Sequence, residues 1–310
     1  MEIAIVGAGM AGLSAGTQLT RAGHKVTLFD KGRGPGGRMS TRRVQTASGE
    51  AQFDHGAQYF TVRDPTFAAQ VENWALAGHV ARWPAAGDGA WVGTPAMNSP
   101  VKAMAQHLNV RWAARVDTIE PQDGGWKLSV EELGSISADA VVLAVPAEQA
   151  AGLLVDVDAA LAKLAATTVS APCWTVMAAF GAVVSSEADV LLADGGAIGW
   201  AARNVAKPGR SGPEAWVIQA TPHWSTDHVE DDVAVVTDAL MAVFAGRVGS
   251  LPEVLSVTSH RWRYARSGRA SGQFRWDAAR NLGLCGDWLL EPRVEAAWVS
   301  GYRLAQAIGK

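Results

Sequence analysis

The first thirty residues divide into an apolar run, a glycine-rich turn, a helix and a second apolar run. Glu2–Val6 is a strand-length apolar segment, Leu13 to Ala22 reads as a helix closed by Gly23, and Lys25–Phe29 is a second strand ended by Asp30. Further along, Arg111–Lys127 reads as two strands around the Gly124-Gly125 turn, running on into Leu128–Glu132. Ala138–Val145 is a continuous apolar run stopped by Pro146, the pattern of a parallel strand buried on both faces. Other strands are expected near residues 173–184, 215–221 and 254–265. Val229–Phe244 reads as an amphipathic helix with Val233, Val236, Leu240 and Val243 on one face. The run from Ser259 to Tyr264 alternates with period two, placing His260, Trp262 and Tyr264 on one side and Arg261 and Arg263 on the other.

Composition narrows the class. With 310 residues, 48% of them hydrophobic and 18% charged, the chain has ample material for a core and is too apolar to be disordered. A net charge of -3 argues against a general polyanion binder such as a nucleic-acid-coating protein. Cys173 and Cys285 lie too far apart in sequence for a CxxC pair and are too few for a disulfide scaffold or a four-ligand zinc site, so no metal is expected. The glycine-interrupted N-terminus, which carries Glu2 and no basic region, does not read as a signal peptide. The uncharged stretch between Lys163 and Glu187 contains Pro172 and several hydroxyl side chains, and reads as a buried strand rather than a membrane span. A cytoplasmic protein with no membrane partner is expected; the oligomeric state is not legible.

The turn between the first strand and helix is Gly7-Ala8-Gly9-Met10-Ala11-Gly12, a GxGxxG in the strand–helix setting that makes the motif informative, with an acid, Asp30, about 20 residues on. Gly7 permits the tight turn, Gly9 lets a pyrophosphate approach the backbone, and Gly12 lets the helix pack on the strand. The helix N-terminus offers free N–H groups and a positive dipole end to the phosphates, and Asp30 can accept from ribose hydroxyls. The motif fits NAD or FAD. The following segment, Gly32 to Arg43, contains Gly36-Gly37-Arg38. Its second formal GxGxxG has Pro35 inside it and no strand of its own before it, so a second nucleotide fold is not expected.

Gly36-Gly37-Arg38, after a fingerprint ending in an acid, resembles the flavin-containing amine oxidase superfamily. The resemblance continues at Phe53-Asp54-His55-Gly56-Ala57-Gln58-Tyr59-Phe60-Thr61, and in the strand ending Cys285-Gly286-Asp287-Trp288 followed by Arg293-Val294-Glu295-Ala296-Ala297-Trp298. Within the superfamily the set is most similar to bacterial renalase-like oxidoreductases. The resemblance implies an α/β fold: a Rossmann-like FAD-binding domain, of the glutathione-reductase and amine-oxidase type, with a discontinuous α+β substrate domain on a mixed sheet. The FAD domain would comprise residues 1–60, 108–150 and 266–310, and the substrate domain 61–107 and 151–265. Non-covalent FAD would be held by Gly7, Gly9, Met10, Ala11, Gly12, Asp30, Lys31, Gly37, Arg38, Ala57, Gln58, Val116, Gly286, Asp287 and Val294. Arg38 would contact the pyrophosphate, Asp287 the ribityl chain and Val116 the adenine, and the last helix would point its N-terminus at the flavin.

A substrate pocket over the flavin would draw on Tyr59, Phe60, His260, Trp262, Tyr264 and Trp288. For Trp262 the alternative is a core position; for His260, a structural histidine rather than a base. The six arginines from Arg261 to Arg280, against one acid, Asp277, suit a phosphate-bearing substrate or are solvated loop charge. The resemblance implies an oxidase that takes hydride from isomeric NAD(P)H to FAD, with O2 reoxidising the flavin to give hydrogen peroxide. That chemistry demands no acid or base. The alternatives are a small-amine oxidase and a flavin-binding sensor without turnover.

Overall fold

The computed structural model describes residues 1–309. β1 (Glu2–Val6) runs through the glycine turn into α1 (Met10–Arg21), which returns the chain to β2 (Lys25–Asp30) alongside β1. The six-stranded sheet they found has the order Arg275–Asp277, Leu282–Leu284, Ala140–Leu143, β1, β2, Asn109–Trp112. Every pairing is parallel except that of the Arg275–Asp277 edge strand. Ile5 sits opposite Leu28 on one side and Val142 on the other, and all four residues of Ala140–Leu143 are buried, as their unbroken apolar run requires.

Alternation along β1 divides two cores. Ile3 and Ile5 face α1 and the final helix, Val294–Ile308, whereas Ala4 and Val6 face the three-stranded antiparallel sheet of Val116–Gln122, Gly125–Val130 and Gly134–Ala138, with Trp126 at its centre. The first and last helices pack at backbone distance. A Cβ on Gly301 would overlap the Ala11 carbonyl oxygen, and Ser14 Oγ donates to the Trp298 carbonyl at 2.8 Å.

The second large sheet is antiparallel throughout, ordered Val190–Leu192, Ile198–Arg203, Glu214–Ala220, Ala171–Phe180, Val254–Arg266. One face packs Trp174, Phe180 and Trp216 against the helix Val233–Val248. The other receives Ala51 and Phe53 from the hairpin Thr41–Thr46/Gly49–Asp54. That helix starts later than its apolar pattern suggests because Asp232 caps it, accepting from the Ala234 N–H at 2.8 Å. Its buried stripe is Val236, Leu240 and Phe244, while Val233 and Val243 are exposed, a correction to the expected face. The uncharged stretch after Lys163 is the end of the helix Ala159–Ala166 and the mostly buried strand Ala171–Phe180. Among the described residues no helix is long and apolar enough to cross a membrane.

Candidate functional site

Between the two sheets lies a cavity of about 1360 Å³. It exceeds the roughly 300–1,000 Å³ of a drug-sized site, leaving room for a dinucleotide and a second ligand. One end is lined by Gly7, Gly9, Met10, Ala11, Asp30, Lys31 and Val116; the middle by Gly37, Arg38, Ala57, Gly286, Asp287 and Val294; the other end by Trp174, Trp200, Gln219 and the run from Ser259 to Arg266.

The first end is built for phosphate and ribose. Gly9 is the N-cap of α1 and has no side-chain cap, so the first-turn amides open onto the cavity. Gly12 lies behind them, and any Cβ there would overlap the Gly7 carbonyl oxygen. The Asp30 carboxylate is fixed by the Ala8 and Gly32 amides, each at 2.7 Å, at the tip of β2.

The middle joins the head of the chain to its tail. Gly37 approaches Gly9, the Ala57 amide donates to the Arg38 carbonyl at 2.8 Å, and Arg38 makes a two-pronged ion pair with Asp287 at 2.6 and 2.8 Å. Ser267 Oγ donates to the same carboxylate at 2.9 Å. The Gly286 amide is anchored on Ser300 Oγ at 3.0 Å, and Arg293 starts the last helix with no side-chain cap, leaving that N-terminus open to the cavity through Val294 and Ala297. This donor set, an uncapped helix end, a ribose-facing carboxylate and a glycine-smoothed wall, fits FAD.

At the far end, His55, His260 and Trp262 form an aromatic knot with ring centroids 4.4 to 5.2 Å apart, and Trp262 Nε1 donates to the His55 carbonyl at 2.8 Å. Burial pushes the His55 imidazole down to about 4, and burial together with nearby Arg42 lowers that of His260, so both are neutral at pH 7. Because Val254–Arg266 is an edge strand, the cavity reaches both of its faces: Arg261 and Arg263 line it as well as His260, Trp262 and Tyr264. Arg261 and Arg263 both bind Glu230, Arg280 binds Asp158 and Asp277, and Arg275 is spent on the Ser271 and Phe274 carbonyls. The arginine-rich run is therefore not one cluster; only Arg261, Arg263 and Arg266 border the cavity.

Four expected lining residues lie elsewhere. Trp288 is fully buried against the Ala147–Leu154 helix, its indole donating to the Val145 carbonyl at 3.2 Å; the turn after Gly286 sends Asp287 to the cavity and Trp288 to the core. Phe60 is buried against Phe67, with its backbone bridged to Trp91. Tyr59 packs behind the cavity-lining Trp200, with centroids 5.4 Å apart. Gln58 turns inward, its amide donating to the Asp54 and Gly56 carbonyls at 2.5 and 3.1 Å.

Sequence reading missed Trp174, Trp200, Gln219 and the buried trio of Asp54, Lys207 and Arg210. Lys207-Pro208-Gly209-Arg210 has the composition of a solvated turn, so nothing in it signals burial. Both thiols are free, and burial raises Cys173 to about 11 and Cys285 to about 12, consistent with a flavin that is not covalently attached. Among the described residues no group of three or more His, Cys, Asp or Glu is placed to hold a metal ion.

A parallel sheet with an uncapped glycine-turn helix, facing a second antiparallel sheet across one long cavity, defines a dinucleotide-binding protein. Residues 5–72 match the model of an NAD(P)-binding Rossmann-like domain, and residues 77–309 match that of the flavin-containing amine oxidoreductases. The chain belongs to this family of FAD-dependent oxidoreductases. An L-amino-acid oxidase of Daboia russelii is 58% identical over 42 residues, which span 14% of this chain and 8% of that protein. In fold the chain is similar to putrescine oxidase bound to putrescine (TM-score 0.77, 13% identity, 99% of both chains). It is likewise similar to cyclohexylamine oxidase from Brevibacterium oxydans IH-35A (TM-score 0.75, 12% identity, 99% of this chain and 98% of that one).

Proposed function

We propose that this chain is a renalase-like oxidase that takes a hydride from an isomeric, non-4-dihydro form of NAD(P)H and passes its electron pair and hydrogen to O2, which with one proton from solvent gives NAD(P)+ and hydrogen peroxide. The observation that carries this reading is the charge of the substrate end of the cavity. Three arginines line it, Arg261, Arg263 and Arg266, against Glu148 in the same cavity wall and Glu230, which pairs with Arg261 and Arg263 from outside; the balance is still positive, which suits a substrate bearing phosphates better than a protonated amine.

Bound FAD would supply the two-electron acceptor. Gly9 and the amides of Met10 and Ala11 would hold the pyrophosphate, Asp30 the adenosine ribose, and Arg38 and Asp287 the middle of the cofactor. Trp262 and Tyr264 offer aromatic faces to a planar dihydropyridine, and Trp262 is locked in place by its bond to the His55 carbonyl. Aromatisation of the substrate releases a hydride and leaves no N–H or O–H proton to remove, so the neutral His55 and His260 need not act as bases. Being uncharged, they also do not repel the pyridinium product. What the protein contributes is then orientation and exclusion of water.

Oxidation of a small amine is the second reading, favoured by membership of the flavin-containing amine oxidoreductases. Anaerobic mixing of the yellow protein with isomeric dihydronicotinamide dinucleotides, and separately with a panel of amines, discriminates the two. Bleaching of the flavin band within seconds by the dinucleotides alone is the expected result. Bleaching by amines alone would transfer the assignment, and bleaching by neither would leave a flavin-binding protein without turnover on these substrates.

A further inference from the structure

Behind the cavity wall formed by Gly56 and Ala57 lies a charge cluster sealed from solvent. The side chains of Asp54, Lys207 and Arg210 are each fully buried. Arg210 donates to the Asp54 carboxylate at 2.6 Å and to the Gly93 and Pro208 carbonyls. Lys207 Nζ lies 3.3 Å from Asp54 and 3.1 Å from Gln58 Oε1, with the Trp83 ring 5.2 Å away. The remaining bonds of Asp54 come from neutral donors, Thr41 Oγ1 at 2.7 Å and the Met97 amide at 3.0 Å. Two buried cations thus share one carboxylate. The surplus donors show the same imbalance: Arg210 Nε and Trp83 Nε1 are buried without an acceptor. A net positive charge held this way is costly unless a negative charge comes near it.

The cavity says where that negative charge would arise. Asp30 and the start of α1 fix the adenosine and phosphate end of a dinucleotide, so its ring half extends past Arg38 to Gly56 and Ala57. The Lys207 ammonium is one amide away from that wall, since Gln58 accepts from it on one side and donates to the Gly56 carbonyl on the other. We propose that Lys207 is a positioning charge for the redox end of the cofactor, holding a positive potential behind the Gly56–Ala57 wall that favours the reduced, negatively charged flavin ring over the oxidised one. The inference rests on FAD occupying the cavity and is independent of which substrate reduces it.

Burial lowers the Lys207 ammonium to about 8, with Arg210 pushing the same way and Asp54 opposing; Gln58 and Trp83, its other neighbours, are uncharged. Lys207 is therefore charged at neutral pH and titrates just above it, and a negative ring nearby would raise that titration point. The test is a spectroelectrochemical titration of the FAD-loaded protein from pH 6 to pH 10, on wild type and Lys207→Met. Wild type should take up an additional proton on reduction in a window opening near pH 8, seen as a steeper fall of the midpoint potential there. Lys207→Met should have a more negative midpoint at pH 7 and lack that window. Equal midpoints and equal pH profiles, with FAD fully bound in both, would overturn the proposal. Should Lys207→Met not fold, the wild-type profile decides alone, because a slope without change from pH 7 to pH 10 also overturns it. A wild-type protein that binds no FAD would instead refute the cofactor assignment beneath it.

Discussion

Asp54 is the single side chain on which the most buried charge depends. It accepts from Thr41, the Met97 amide, Lys207 and Arg210, and those two cations hold its carboxyl well below the usual carboxylate range despite burial. Asp54→Ala strands two cations in the interior, and removing one partner of a buried pair costs about 3–5 kcal/mol. Urea unfolding should show a loss of that size, whereas removal of the exposed Glu230 carboxylate should leave the unfolding midpoint almost unmoved. The neighbouring His55 sets a different dependence. Its folded pKa of about 4 lies below the 6.5 of a free imidazole, so the unfolded chain binds the proton first as pH falls. The stability it contributes is complete above pH 6.5 and is lost between 6.5 and 4, amounting to about 3 kcal/mol at roughly 1.4 kcal/mol per pH unit. Stability measured across that interval should fall accordingly, and His55→Gln should flatten the slope.

At the scale of elements, legibility followed solvent contrast. The β1–α1–β2 unit and the strand Ala140–Leu143 were readable because each is buried in a single way, and their residues repeat that fact along the sequence. Gly286-Asp287-Trp288 was half readable: the motif marks the turn, but which side chain faces the cavity depends on the backbone reversal at Gly286, which has no sequence period. Val254–Arg266 showed its alternation, yet its being an edge strand, open to the cavity on both faces, is a property of the sheet as a whole. Lys207 and Arg210 were illegible because their burial is imposed by residues around 54 and 93, distant in sequence. Two substitutions check these placements. Trp288→Ala should cost about 3–5 kcal/mol as a core truncation while leaving the rate of flavin reduction in folded, FAD-loaded protein unchanged; a slowed rate would return Trp288 to the cavity. Gly301→Ala places a methyl group against the Ala11 carbonyl and should cost about 1–3 kcal/mol by overpacking. Because α1 carries the phosphate-facing amides, the same change should release FAD on dialysis.

Across the whole molecule, the antiparallel sheet is tied to the wall of the cavity by bonds that converge on the segment from Gln52 to Gly56, the end of the Gly49–Asp54 strand and the turn after it. Asn204 donates to the Gln52 carbonyl at 2.8 Å, Gln219 to the Gly56 carbonyl at 2.8 Å, and Trp262 to the His55 carbonyl at 2.8 Å. All three donors come from the antiparallel sheet or its connections, and the accepting segment runs directly into the wall of the dinucleotide cavity. Strain or solvation introduced in one sheet should therefore be felt by the other, and the cofactor, lying between them, should stabilise both. With free FAD at 100 times its dissociation constant the added stability is about 2.7 kcal/mol. Calorimetry should show one cooperative transition for the FAD-loaded protein, and it should move upward as a unit when FAD is raised. Tryptophan fluorescence offers a local check, since Trp126 sits beneath the parallel sheet and Trp216 beneath the antiparallel one. Single-tryptophan variants retaining either residue should melt at the same temperature and shift together with FAD. If only the Trp126 signal moved, the three carbonyl bonds would be contacts between independent domains rather than a mechanical joint.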